Sequence, residues 1–207
     1  ETITFTKIND VPNNAIQSWD GSESQNRSIM VWVLDEDNDN LYEIYIGQEG
    51  GVKANQNSSY LFFRFYNMTQ INGLENLDTS SVTNMSSMFG YCNHLSSLDL
   101  SHFDTKKVTN MSYMFEGCKS LTSLDVSNFD TGNVTEMSSM FLRCQNLITT
   151  IVIKGTKCKY YLNIFLYAAT ADGAKITVNY TEDASELVDQ MIATKSSNSN
   201  VIKGSVV

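Results

Sequence analysis

Cysteine, aspartate and histidine recur in this chain at spacings that invite chemistry. Cys92, Cys118 and Cys144 stand at a constant step (118 − 92 = 144 − 118 = 26). Three thiolates that converge with a fourth donor such as His94 would hold zinc. A thiol beside His94 or His102, the chain's two histidines, would make a nucleophile and its base. Asp78, Asp104 and Asp130 form a second column, each followed by a threonine. Stacked carboxylates repel, so they call for amide donors or for a cation such as calcium. The run DEDNDN at 35–40 has acids at alternate positions, as an EF-hand loop does. It lacks the glycine at the sixth position, where Asn40 stands, and the glutamate at the twelfth, where Ile46 stands.

Each feature also has a plainer reading. Residues that share one position of a repeat are spread along an axis and do not converge, so the three cysteines read as buried thiols filling small apolar gaps. A disulfide between neighbours is the alternative, and Cys158 lies outside the period. The histidines occupy positions that hold other residues in other copies. An Asp-Thr pair that closes a turn by accepting backbone amides suits the bend after a strand. DEDNDN reads as a solvated hairpin turn. Met85, Met88, Met111, Met114, Met137 and Met140 have the spacing of a core stripe rather than of a copper surface. The sequence predicts no catalytic residue, no metal and no cofactor.

What must position these residues is a repeat. VTNMSSMF, VTNMSYMF and VTEMSSMF begin at Val82, Val108 and Val134, and a period of about 20–50 residues marks units that bury their apolar faces against one another. A worn copy precedes them at Ser59-Tyr60-Leu61-Phe62, with Phe65 in the cysteine place and Met68 in the leucine place. Leu95, Leu98 and Leu100, then Leu121, Leu124 and Val126, spell L-x-x-L-x-L, the strand segment of a leucine-rich repeat. Val108-Met111-Met114-Phe115-Cys118 steps by three and four, which predicts a short helix with Thr83, Thr109 and Thr135 as N-caps.

These signals predict an α/β fold: a short leucine-rich-repeat solenoid of 26-residue repeats with a β-rich N-terminal cap and an α/β C-terminal cap. A parallel β-helix is the alternative. The expected divisions are 1–55, 56–153 and 154–207. In the first, SIMVWVL and LYEIYIG form a hairpin, and GQEGG at 47–51 makes a turn. In the last the period fails: Tyr160–Ala171 is expected to be helical, Lys175–Tyr180 a strand, Asp183–Thr194 a helix and Val201–Val207 a strand. The inward set comprises Leu98, Leu100, Phe103, Val108, Met111, Met114, Phe115, Cys118, Leu121 and their counterparts.

Composition bounds the partners. Net charge is −9 with 42% hydrophobic residues, which disfavours nucleic acid and anionic membranes, and no apolar run reaches the roughly 20 residues of a transmembrane span. The chain opens on Glu1-Thr-Ile-Thr-Phe5 in strand-like alternation rather than on a signal peptide, as a mature or trimmed segment would.

The pattern LDLS-x-FDT-x-x-VT-x-MS-x-MF-x-x-C-x-x-L resembles the BspA-like leucine-rich repeat of bacterial surface proteins. The stretch from SWDGSESQ to NQNSSYLF is similar to the leader that often precedes it. Together they span about residues 16–150. The resemblance implies secretion, display on the surface of a host-associated bacterium, and adhesion to host extracellular proteins. It carries no set of functional residues with it.

The expected function is therefore a non-enzymatic, extracellular protein-binding module, adhesin-like, with host matrix or plasma proteins as the partner class. A structural spacer of the cell envelope is the first alternative, and an enzyme with a site in the non-repeating ends the second. Side chains alternate along a strand, so the positions between the inward leucines face out. Asp99, Ser101 and His102, with Asp125, Ser127 and Asn128 one unit on, form the candidate partner-binding strip. Small, polar and acidic, it suits a partner that offers Lys or Arg.

Overall fold

The computed structural model describes residues 2–22, 27–35 and 42–207. Its elements in chain order are β1 (Thr2–Thr6), β2 (Gln17–Asp20), β3 (Ile29–Leu34), β4 (Glu43–Gln48), β5 (Val52–Lys53), β6 (Gln70–Asn72), β7 (Leu77–Asp78), β8 (Ser97–Asp99), β9 (Ser123–Asp125), β10 (Ile148–Ile153), β11 (Lys175–Tyr180), α1 (Ser185–Ile192) and β12 (Val201–Val206). The strands make a mixed five-stranded sheet ordered β2-β3-β4-β1-β6, a parallel five-stranded sheet ordered β12-β11-β10-β9-β8, and a parallel pair β5-β7.

In the mixed sheet, β3 and β4 pair antiparallel from Ile29↔Gln48 to Leu34↔Glu43, and β1 runs parallel to both β4 and β6. This is the expected hairpin; its DEDNDN turn, beyond Asp35, lies outside the described residues. Alternation turns Met30, Trp32 and Leu34 into a small core of their own beneath Val11, Ala15 and Tyr45. Ile3 and Phe5 of β1 join the main core instead.

The structure overturns the α/β leucine-rich-repeat solenoid. The repeating segment holds no α-helix; the one α-helix among the described residues is the eight-residue α1, near the C-terminus. Val108–Cys118 is a run of tight turns. Residues two before and two after each core phenylalanine are left-handed: Tyr60 and Arg64 around Phe62, Ser87 and Tyr91 around Phe89, Tyr113 and Gly117 around Phe115, Ser139 and Arg143 around Phe141. A left-handed L-residue costs about 1–2 kcal/mol and cannot propagate a right-handed helix.

Hydrogen bonding shows what offsets that cost. The amides of Met85, Ser87, Phe89 and Tyr91 donate to the carbonyls of Asn110, Ser112, Met114 and Glu116, one unit on. Those of Met88, Gly90 and Cys92 close turns on Met85, Ser87 and Phe89. Alternate amides thus serve the neighbour and the turn, and the pattern recurs from 111 to 117 and from 137 to 143. Such turns bring apolar side chains inward at steps of three and four, as a helix does. The predicted inward set is buried throughout, with Met114 and Phe115 fully enclosed. Each such side chain stabilises the fold by about 1.5–3 kcal/mol.

Phe62, Phe89, Phe115, Phe141 and Phe165 form a stacked column with successive centroids 5.2, 5.7, 5.7 and 6.0 Å apart. Its last member corrects a second expectation: Tyr160–Ala171 is not helical but another set of the same turns. Glu136 bridges to Tyr160 in parallel, a step of 160 − 136 = 24, and the amides of Met137, Ser139, Phe141 and Arg143 donate to the carbonyls of Tyr160, Leu162, Ile164 and Leu166. Ala168 takes the place of the cysteine and is as deeply buried.

The threonines expected as N-caps bridge units instead. Thr109 donates both its amide and its Oγ1 to the carbonyl of Thr83, and Thr135 does the same to Thr109. At the far end, Phe165 and Tyr167 direct their amides to Thr194 Oγ1 and Ser196 Oγ beyond α1. The helix itself forms as expected, Val188 and Met191 buried and Leu187 and Ile192 packed beside them. It covers the last set of turns.

Candidate functional site

The parallel strands β8 and β9 pair Ser97↔Ser123, Leu98↔Leu124 and Asp99↔Asp125. Leucines point in and the flanking serines and aspartates point out. Each aspartate then turns the chain: Asp99 Oδ1 accepts the amide of Ser101 at 2.9 Å, and Asp125 Oδ1 that of Ser127 at 2.9 Å. The backbone amide of Ser101 leads in holding the Asp99 carboxyl below its usual range. The Ser127 side chain and then its amide do so for Asp125, against mild repulsion from Asp99. Both stay ionised at neutral pH.

The six residues of the strip divide. Asp99, Ser101 and His102 border two polar cavities that share His102. One, of about 250 Å³, is lined by Gln70, Asn72, Glu75, Ser97, Asp99 and His102 among others. The second, of about 320 Å³, lies between Ser101, His102, Asp104, Lys106, Asp130 and Lys154, with Asn128 on its wall. Asp125 and Ser127 line neither. Asn128 serves the fold: its Nδ2 donates to the carbonyls of Leu100, Ser101 and Phe103 at 3.0, 3.2 and 3.1 Å.

Sequence reasoning missed the wall that Glu75 and the uncharged β6 residues Gln70, Ile71 and Asn72 give the first cavity. Glu75 lies in a single 3₁₀ turn (Leu74–Asn76) after β6; β6 pairs with β1 at the edge of the mixed sheet, and the packing of that edge beside β8 brings Glu75 to the cavity that Asp99 lines. The first cavity carries Glu75 and Asp99 against His102. The second mixes charge: Lys154 Nζ lies 3.9 Å from Asp130 Oδ1.

The aspartate column has its amides. Asp78, Asp104 and Asp130 accept the amides of Ser80, Lys106 and Gly132 at 2.9, 3.0 and 3.0 Å. The threonines after them reach across units: Thr79 Oγ1 accepts the amide of Asp104, Thr105 Oγ1 that of Asp130, and Thr131 Oγ1 that of Lys154. Among the described residues no three of His, Cys, Asp or Glu gather where a metal ion could sit.

The thiols of Cys92, Cys118 and Cys144 are free and donate to the carbonyls of Phe62, Phe89 and Phe115 at 3.0, 3.1 and 2.9 Å. Burial pushes the Cys92 and Cys158 thiols up to about 12 and raises Cys118 and Cys144 strongly. His94 Nδ1 lies 2.7 Å from the carbonyl of Tyr66 and His102 Nδ1 3.1 Å from Ser101 Oγ. These thiols are protonated packing groups.

Stacked 26-residue units with polar edges define a β-rich repeat protein. Residues 57–171 match the family described as "Mycoplasma protein of unknown function, DUF285", and the chain belongs to that family. No curated protein and no solved structure matches it. No helix of the described residues is long and apolar enough to cross a membrane.

Proposed function

We propose that this chain is a non-enzymatic, extracellular protein-binding module of a bacterial surface protein, adhesin-like, that takes a basic side chain of its partner at the strand edge. The observation that carries this reading is the first cavity, where Glu75 and Asp99 face a space of about 250 Å³ with His102 as the only basic side chain among the described residues that line it. A lysine or arginine side chain of a partner fits that size and charge, and charge-assisted bonds of this type are stronger than neutral ones. The resemblance of the repeat to BspA-like surface proteins supports the extracellular setting and a host matrix or plasma protein as the partner.

A spacer function is the second reading, favoured by the unbroken ladder of amide bonds from Ser58 to Arg143, which stiffens the stack along its axis. A binding screen of the purified chain against host matrix and plasma proteins separates the two. Charge reversal in the double variant Asp99→Lys, Asp125→Lys should weaken any captured partner by about tenfold or more and reduce its salt dependence. Unaltered affinity and salt dependence would remove the strand edge, and capture of nothing would favour the spacer.

A further inference from the structure

The edge opposite the strands carries a different chemistry. Position two beyond each core phenylalanine is left-handed, and down the stack it reads Arg64, Tyr91, Gly117, Arg143, Tyr167; Arg64, Arg143 and Tyr167 are exposed, Tyr91 half-buried, and Gly117 buried. Successive members are linked by amide-to-carbonyl bonds to the adjoining residue of the next unit: Arg64 to Gly90, Tyr91 to Glu116, Gly117 to Leu142. Two of the chain's three arginines therefore lie in one column, in a protein of net charge −9.

Two glycines shape the surface between them. A side chain on Gly117 would meet the Tyr91 ring at 2.8 Å, and one on Gly90 would meet the Phe63 ring at 3.0 Å. Each ring thus lies over a glycine of the next unit. Tyr91, leaning across Gly117 toward Arg143, is pinned by its hydroxyl, which donates to Glu116 Oε1 at 2.5 Å. Tyr60 packs edge-on against Phe63 at 5.2 Å, Phe63 against Tyr91 at 5.9 Å, and the Arg64 guanidinium sits 5.0 Å over the Phe63 ring. Tyr60, Arg64 and Arg143 are exposed.

Among the described residues the ion pairs are Lys154–Asp130 and Lys203–Asp189, so neither guanidinium has a carboxylate partner among them. The nearby carboxylate, Glu116, is held by Tyr91. Fixed aromatic rings flanked by arginines are the side chains that dominate binding energy at protein interfaces, and arginine pairs carboxylates through two parallel hydrogen bonds. We propose that this turn edge is a second contact surface, whose partner is an acidic, carboxylate-bearing segment of another protein. It is opposite in charge to the strand-edge cavity and independent of it.

The test uses the whole chain and a short synthetic peptide of alternating Glu and Tyr, with a Gln/Tyr peptide of equal length as control. At physiological salt the acidic peptide should bind, the neutral one should not, and the Arg64→Gln, Arg143→Gln variant should lose about tenfold in affinity. Arg27→Gln, which alters the third arginine, should change nothing. In an amide-resolved titration of the unaltered chain, the peptide should shift Arg64, Tyr91, Gly117 and Arg143 and leave Asp99 and His102 still, a readout that survives if the double variant fails to fold. Failure of the acidic peptide to bind, equal binding of the neutral peptide, or unchanged affinity in the double variant would overturn the proposal. So would binding of hyaluronate at these arginines without binding of the peptide, which would point to an acidic glycan.

Discussion

Phe89 and Phe115 stack with centroids 5.7 Å apart and ring planes within 1° of parallel. Their backbones are joined by the bond from the Phe89 amide to the Met114 carbonyl, so register and packing enforce one another. Replacing Phe115, which touches rings on both sides, with Ala should destabilise the chain by about 3–5 kcal/mol. Phe115→Leu should cost less. Chemical unfolding with a single shared transition across the units would register both losses.

Thr105 carries a bond that a sequence of turns alone does not need. Its hydroxyl accepts the Asp130 amide at 2.7 Å and is almost fully buried. Thr105→Val keeps the shape and strands that amide, which should cost about 1–3 kcal/mol. Thr105→Ser should recover most of it. Equal thermal midpoints for the Val variant and the native chain would refute the assignment.

Gly117 combines a left-handed backbone, φ 71°, with the Tyr91 ring where a side chain would begin. Gly117→Ala should therefore lower stability by about 1–2 kcal/mol. Adding Tyr91→Ala to it removes the clash and leaves the backbone cost, so the double change should be less than additive.

The four thiols should resist alkylation in the folded chain and react once denaturant is added. Their native pKa values are raised above the ordinary 9.0, to about 12 for Cys92 and Cys158. The unfolded chain then releases thiol protons first as pH rises. Stability from these thiols is whole below pH 9 and declines from there toward about 12. Cys118→Ala should cost about 1–2 kcal/mol through lost burial, reduce that alkaline decline and leave partner binding unchanged.

At the acid end the sign reverses. Asp78, Asp99 and Asp125 have native pKa values lowered from 3.8, by the hydroxyl and amide of Ser80, the amide and hydroxyl of Ser101, and the hydroxyl and amide of Ser127. Their contribution is present above about pH 3.8 and is lost as pH falls through the lower native values. Asp125→Asn should flatten the acid limb of the stability curve; an unchanged limb would show that the Ser127 contact has no energetic weight.

The amino-acid sequence alone determined the period, the residues that turn inward, the β3–β4 hairpin and the amphipathic α1. All of these follow from side-chain patterning along a local stretch. Tertiary structure decided the rest. Val108–Cys118 has the apolar spacing of a helix, and consecutive tight turns have it too. What separates them is whether an amide bonds within its own turn or to a carbonyl about 25 residues on, and no local pattern records that choice. The same long-range bonding carried the stack through Tyr160–Ala171 at a shortened step, where alanine replaces cysteine and the motif fades from view. It also sorted the outward strip. Asn128 was drawn into three backbone bonds, while Asp99 and His102 were left beside Glu75, which stands one 26-residue step before Ser101 and reaches their cavity because the β6 edge of the mixed sheet packs beside β8.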